Sequence, residues 1–173
     1  LREDGTPSAR VIVEGANLFL TPAARERLSA EGVTIIKDSS ANKCGVICSS
    51  FEVAASMLLD EREFMDIKGE FVEQVLEKLR ELARLEALLL IHEQQRHPLV
   101  PLPEISVRLS RTVNSVADAI HSRLQEHEDS LDFGWSLVLA HLPEILVRTA
   151  GDRLRMSLPK AYLFRLMASR LAA

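Results

Sequence analysis

Short apolar runs alternate with helix-periodic stretches over the first third of the chain, and helical periodicity alone fills the rest. Arg10 to Val13 (R-V-I-V) is a continuous run rich in β-branched residues that leads into Glu14-Gly15-Ala16-Asn17, which predicts a buried strand ending in a turn. Thr21-Pro22 then reads as the start of a helix, with Thr as N-cap and Pro at the first helical position, and Gly32 as its left-handed C-terminal cap. Val33 to Ile36 is a second buried strand. The stretch after Lys37-Asp38, Ser39-Ser40-Ala41-Asn42, reads as a polar loop, followed by a helix from Gly45 or Val46 to about Leu59. Strand, helix, strand, helix with connections this short is the pattern of a parallel, doubly wound sheet, of which only a part is present.

Beyond Leu59 the pattern predicts four helices. The first runs from about Ile67 to Gln95, with Phe71, Val75, Leu79, Leu82, Leu85 and Leu89 on one face and Leu76, Ala83, Leu88 and Leu90 broadening the stripe. The proline-rich stretch from His97 to Pro103 ends it. Others follow at about Glu104 to His127, at Gly134 to Ala150 with a start or kink at Pro143, and at Leu158 to Leu171. The expected architecture is therefore α/β, the C-terminal half of a Rossmann-like doubly wound domain over residues 1–60, followed by an all-α C-terminal region over residues 61–173. The chain begins at Leu1 inside a polar stretch and without Met, and reads as a piece of a longer protein.

Composition narrows the function classes. A net charge of -4 with no clustered excess of Lys and Arg argues against a nucleic-acid partner. The longest apolar run, Ala87 to Ile91, is far below the roughly 18 residues a membrane span needs, so no membrane partner is expected. The two cysteines, Cys44 and Cys48, are too few for a disulfide framework and point to a reducing, cytoplasmic setting. Without a second Cys pair or a nearby His they read as small packed thiols, and no metal is expected. His92, His97, His121 and His127 read as solvated, and Trp135, Tyr162 and Phe164 as core or interface contacts.

The chemistry concentrates between Val13 and Leu59. In a doubly wound sheet, ligands sit outside the carboxyl ends of the strands, where Gly15-Ala16-Asn17 and Ala41-Asn42 fall. Gly15 and Ala16 lack bulk, and an Asn amide both donates and accepts. A lone Asn at such a place more often closes a turn through an Asx bond, but two at successive strand ends favour ligand contact.

The run V-E-G-A-N-L-F-L-T-P-A-A-R, followed by G-V-T-I-I-K-D-S-S-A-N-K-C-G-V-I-C-S-S-F-E, resembles the second half of the nucleotide-binding domain in the glutamate, leucine, phenylalanine and valine dehydrogenase family. Its wording is most similar to the large NAD-dependent glutamate dehydrogenases. The resemblance implies that Gly15, Ala16, Asn17 and Asn42 lie beside the nicotinamide half of NAD, and that the Ser49 hydroxyl meets the side-chain carboxylate of glutamate. A hydroxyl there gives a charge-assisted bond that an apolar substrate would leave unmade. The implied parent reaction is oxidative deamination of L-glutamate to 2-oxoglutarate and ammonia, in a homo-oligomer. Where the family has Gly-Gly, this chain has Cys44-Gly45, which either shifts the loop or needs only an ordinary φ.

The G-x-G-x-x-G fingerprint does not occur in the chain. The catalytic Lys and Asp that the resemblance implies belong to a segment upstream, so no catalytic residue is assigned and the isolated chain is expected to be inactive. The rival readings are a related amino-acid dehydrogenase of the same family and a helical regulatory or oligomerisation module.

Overall fold

A computed structural model describes residues 2–127 and 130–173. Local chemistry sets the first elements. Strand β1 (Val11–Val13) is followed by helix α1 (Pro22–Ala30), whose N-cap Thr21 accepts a hydrogen bond from the Ala24 amide at 3.2 Å. Gly32 follows α1 with φ of +79°, a conformation an L side chain resists, and frees the chain to re-enter the sheet as β2 (Thr34–Ile36). The two strands pair in parallel with Val11 opposite Thr34 and Val13 opposite Ile36. This strand–helix–strand unit is as the sequence predicts. Among the described residues the sheet has these two strands and no more, so the doubly wound arrangement is not seen in full.

The expectation that both strands are buried holds in part for β2 and fails for β1. In β2, Ile35 is fully buried, whereas Val11 and Val13 of β1 are 56% and 60% exposed. Residues i and i+2 of a strand share a face, so both valines lie on a side that no described element covers. The polar stretch after β2 also differs from expectation. Asp38–Ala41 forms a short helix, α2, and α3 (Lys43–Leu58) begins directly after Asn42, two to three residues earlier than predicted.

The remainder is helical: α4 (Glu61–Arg96), α5 (Leu102–Gln125), α6 (Ser130–His141), α7 (Glu144–Ala150), α8 (Arg153–Ser157) and α9 (Lys160–Ala172). Asp60 and Glu63 close a reciprocal capping box at the start of α4, each carboxylate accepting the other's backbone N–H at 2.8 and 3.0 Å. Pro143 separates α6 from α7, as read from the sequence, while α8 was not anticipated.

The described residues gather into two compact units that interleave along the chain: residues 1–46 with 81–110, and residues 47–80 with 111–173. In the first, Leu90 of α4 packs with Leu102 and Ile105 of α5, and Ile36 of β2 joins them. In the second, Phe51, Ala54 and Leu58 of α3 form one core with Phe71 and Val75 of α4 and with residues of α6 to α9. The apolar stripe of α4 is therefore used unevenly: Phe71, Val75 and Leu90 are buried, while Leu85, Leu88 and Ile91 are at least half exposed. At about 100° per residue, successive i+4 steps drift around the helix, and Leu90 faces a different cluster from Phe71.

Helices α6 and α9 meet at Gly134. A Cβ placed there would collide with Cε of the fully buried Met167 and stand 2.9 Å from its Sδ. Gly134→Ala gains about 1 kcal/mol of helix propensity, but forcing Met167 out of its rotamer costs about 1–3 kcal/mol. A lower melting temperature is expected for G134A and a larger drop for Gly134→Val. An unchanged melting temperature for both would show that the Met167 side chain has room to withdraw.

Candidate cofactor and substrate site

Parallel pairing brings the ends of β1 and β2 to one edge of the first unit, and a buried ionic cluster closes that edge. The Glu14 carboxylate is fully buried. Its Oε2 accepts from Arg25 Nε at 2.9 Å and from the Asp38 amide at 3.2 Å, and its Oε1 accepts from the Leu20 amide at 3.2 Å. Arg25, itself buried on α1, sets Nη2 3.6 Å from Asp38 Oδ2 without a hydrogen bond of its own. Asp38 accepts from Lys37 Nζ at 2.6 Å, from the Leu18 amide at 2.9 Å and from the Ser39 amide at 2.7 Å. The Lys37 ammonium and then the Leu18 N–H hold its carboxyl well below the ordinary range, at about 2.

This cluster fixes the chain between the strand end and α1. Glu14 and Asp38 take the amides of Leu20 and Leu18, and Leu18 has a φ of +56°, the one non-glycine residue in the left-handed region among those described. The loop so held presents Gly15, Ala16 and Asn17 outward, all exposed. Asn42 Nδ2 donates to Asn17 Oδ1 at 2.5 Å and lies 3.5 Å from the Gly15 carbonyl. The two asparagines that the sequence places at successive strand ends are thus brought into direct contact. Gly15 has a negative φ, and a Cβ built on it would meet nothing within 4 Å. The space on that side of Gly15 is open.

Ser49 lies in the second turn of α3, exposed, in the second unit. Cys44 occupies the first turn of α3 with an ordinary helical φ, so a side chain costs no strain at the place where the family has glycine. Cys48 Sγ reaches Glu52 Oε1 at 3.8 Å, and burial with that carboxylate nearby pushes its thiol pKa up. No group of three or more His, Cys, Asp or Glu among the described residues is placed to hold a metal. No helix is long and apolar enough to cross a membrane among them.

Sequence reasoning missed the ionic cluster. Glu14 sits inside a quoted motif, but Arg25 and Asp38 carry no local sign of burial, and burial makes them structural partners of the loop. It also missed His141, whose ring lies tilted against Phe51 with centroids 4.9 Å apart and whose pKa falls to about 4, first through burial and then through Arg170 and Lys78. Ninety residues separate that pair, and no spacing rule links them.

The strand–helix–strand unit thus carries a pair of contacting polar side chains, Asn17 and Asn42, beyond the carboxyl ends of its two parallel strands. The model of the Glutamate/Leucine/Phenylalanine/Valine dehydrogenase family matches residues 3–92, and the chain belongs to that family. It is 34% identical over its whole length to an NAD-specific glutamate dehydrogenase of Neurospora crassa and 34% identical over 94% of its length to one of Saccharomyces cerevisiae. It spans 17% and 16% of those two proteins. Over a shorter segment of 54 residues it is 48% identical to an NADP(+)-dependent glutamate dehydrogenase of Pyrobaculum calidifontis. No solved structure matches the chain.

Proposed function

We propose that the chain is the C-terminal portion of a large NAD-dependent glutamate dehydrogenase, whose parent protein oxidatively deaminates L-glutamate to 2-oxoglutarate and ammonia. NAD supplies the hydride acceptor in that reaction. The strand pair is read as the C-terminal half of a Rossmann-like doubly wound sheet within residues 1–60, and residues 61–173 as a helical region. Gly15, Ala16, Asn17 and Asn42 form one wall for the nicotinamide half, and the Ser49 hydroxyl donates to the side-chain carboxylate of glutamate. The chief support is the contact between Asn17 and Asn42 at the carboxyl edge of two parallel strands, the place where such folds hold ligands.

That pair suits a carboxamide or ribose, because each Asn keeps further donors and acceptors after their mutual bond. The preference for NAD is supported by the likeness along the whole chain. Over 54 residues the chain is also similar to an NADP(+)-dependent enzyme, so the preference for NAD is read from the likeness along the whole chain and not from that segment. The remaining parts of the site lie in the rest of the parent chain, which assembles as a homo-oligomer.

The full-length parent is expected to reduce NAD in the presence of glutamate with a higher kcat/KM than NADP, and the purified 173-residue chain to show no turnover. Turnover by the isolated chain would refute the division of the site. Preference for NADP would refute the cofactor assignment, and preference for an apolar amino acid would favour a related dehydrogenase.

A further inference from the structure

The hairpin formed by the end of α4 and the start of α5 braces the loop that carries Asn42. Ser106 of α5 is 2% exposed, and its Oγ lies 2.6 Å from Ser40 Oγ and 3.2 Å from Ser39 Oγ. Those two serines form the middle half of the four-residue α2, and Asn42 follows at its C-cap. On the other side of Asn42, Lys43 Nζ pairs with Glu86 of α4 at 2.7 Å. Asn42 is thus flanked by two tethers that both originate in the hairpin. The hairpin itself is seated on the sheet through Leu90, Leu102 and Ile105 against Ile36. Ser106 also lies beyond residues 3–92, the span matched by the family model, so the brace reaches in from outside that span.

We propose that Ser106 is a positioning residue for the cofactor site, acting through Ser39 and Ser40 to set the Asn42 amide against Asn17, with Glu86 as a second tether through Lys43. The proposal rests on the reading of Asn17 and Asn42 as cofactor residues. A buried hydroxyl shared between two others has no solvent to replace it, so its loss frees both partners and loosens the short helix between them. A bare structural contact would change melting temperature alone. A positioning contact changes NAD affinity, and with it the seating of the nicotinamide for hydride transfer, while leaving the binding of glutamate nearly as it was.

The test uses the full-length parent and the variants Ser106→Ala, Ser40→Ala, their double, Glu86→Gln and Asn42→Ala. For S106A the Kd and KM for NAD are expected to rise about threefold to tenfold, in keeping with a net loss of one hydrogen bond, with little change in the KM for glutamate. The double variant should match S106A rather than add to it, since the Ser40 link is already lost in S106A, and S40A, which keeps the Ser39 contact, should have no larger effect than S106A. E86Q, on a partly exposed pair, should raise the NAD Kd by less. Amide exchange over residues 38–43 should accelerate in S106A. Unaltered exchange there, or equal loss for NAD and glutamate, overturns the positioning role. An N42A variant that binds NAD normally would instead refute the cofactor reading, and faster exchange in S106A would still establish the brace.

Discussion

Glu14→Gln is expected to destabilise the strand-end unit by about 3–5 kcal/mol, the usual cost of removing one partner from a buried ion pair. The substitution keeps size and shape, so the loss is electrostatic and geometric. Both carboxylate oxygens of Glu14 face donors: Leu20 N–H on one, and Asp38 N–H with Arg25 Nε on the other. Whichever way a Gln amide is turned, its NH2 group points at a donor and orphans at least one N–H. The charge of Arg25 is then left to Asp38 alone, at 3.6 Å and without a hydrogen bond. The full-length parent should show a lower melting temperature and faster amide exchange at residues 14–20 and 38–39. Replacing both ends, as in Glu14→Gln with Arg25→Met, should cost less than the sum of the singles because no uncompensated charge remains. A change under about 0.5 kcal/mol in E14Q, the size of a typical surface substitution, would show that water enters the cluster and supports Arg25.

The same cluster carries a pH signature through Asp38. Its folded pKa, about 2, lies below the ordinary value of 3.8, so its contribution to stability is fully present above about pH 4 and drains away as pH falls toward 2. The sign follows from Lys37 and the Leu18 N–H, which favour the charged carboxylate in the folded state only. Stability near neutral pH is unaffected by this group's titration.

What could be read from the sequence was local chemistry. The Thr21 cap, the left-handed Gly32 and the break at Pro143 each depend on one or two residues and their neighbours, and each lies where expected. The pairing of β1 with β2 followed from the short crossover. What could not be read depends on residues far apart. Ser39-Ser40-Ala41 reads as a loop because Ser favours non-helical hydrogen bonds. It folds as α2 with the Asp38 amide taken by Glu14, 24 residues away, and its hydroxyls taken by Ser106, 66 and 67 residues away. The apolar run at Val11 to Val13 promises burial, but burial needs a covering element, and none of the described ones covers that face. For the candidate site, the strand-end placement of Asn17 and Asn42 was legible, whereas the ion pairs that hold the loop in register were not.

Ser49→Ala tests the substrate assignment most directly, because it ties one hydroxyl to the choice of amino acid. If the Ser49 hydroxyl donates to the side-chain carboxylate of glutamate, its removal costs a hydrogen bond to a charged group, worth about 1.5–3 kcal/mol. At about 1.4 kcal/mol per decade, kcat/KM for glutamate in the full-length parent should fall roughly tenfold to a hundredfold. Folding should be spared: Ser49 is exposed in the second turn of α3, and Ala is the better helix former there. The loss should also be selective. Norvaline has no carboxylate to receive the bond, so its kcat/KM should hold or rise once the polar group is gone. Parallel kinetics on the two amino acids, with the melting temperature as a control, separate the outcomes. Equal losses for glutamate and norvaline would assign Ser49 a general structural role in α3 and withdraw the hydroxyl as the reason for preferring glutamate over an apolar substrate.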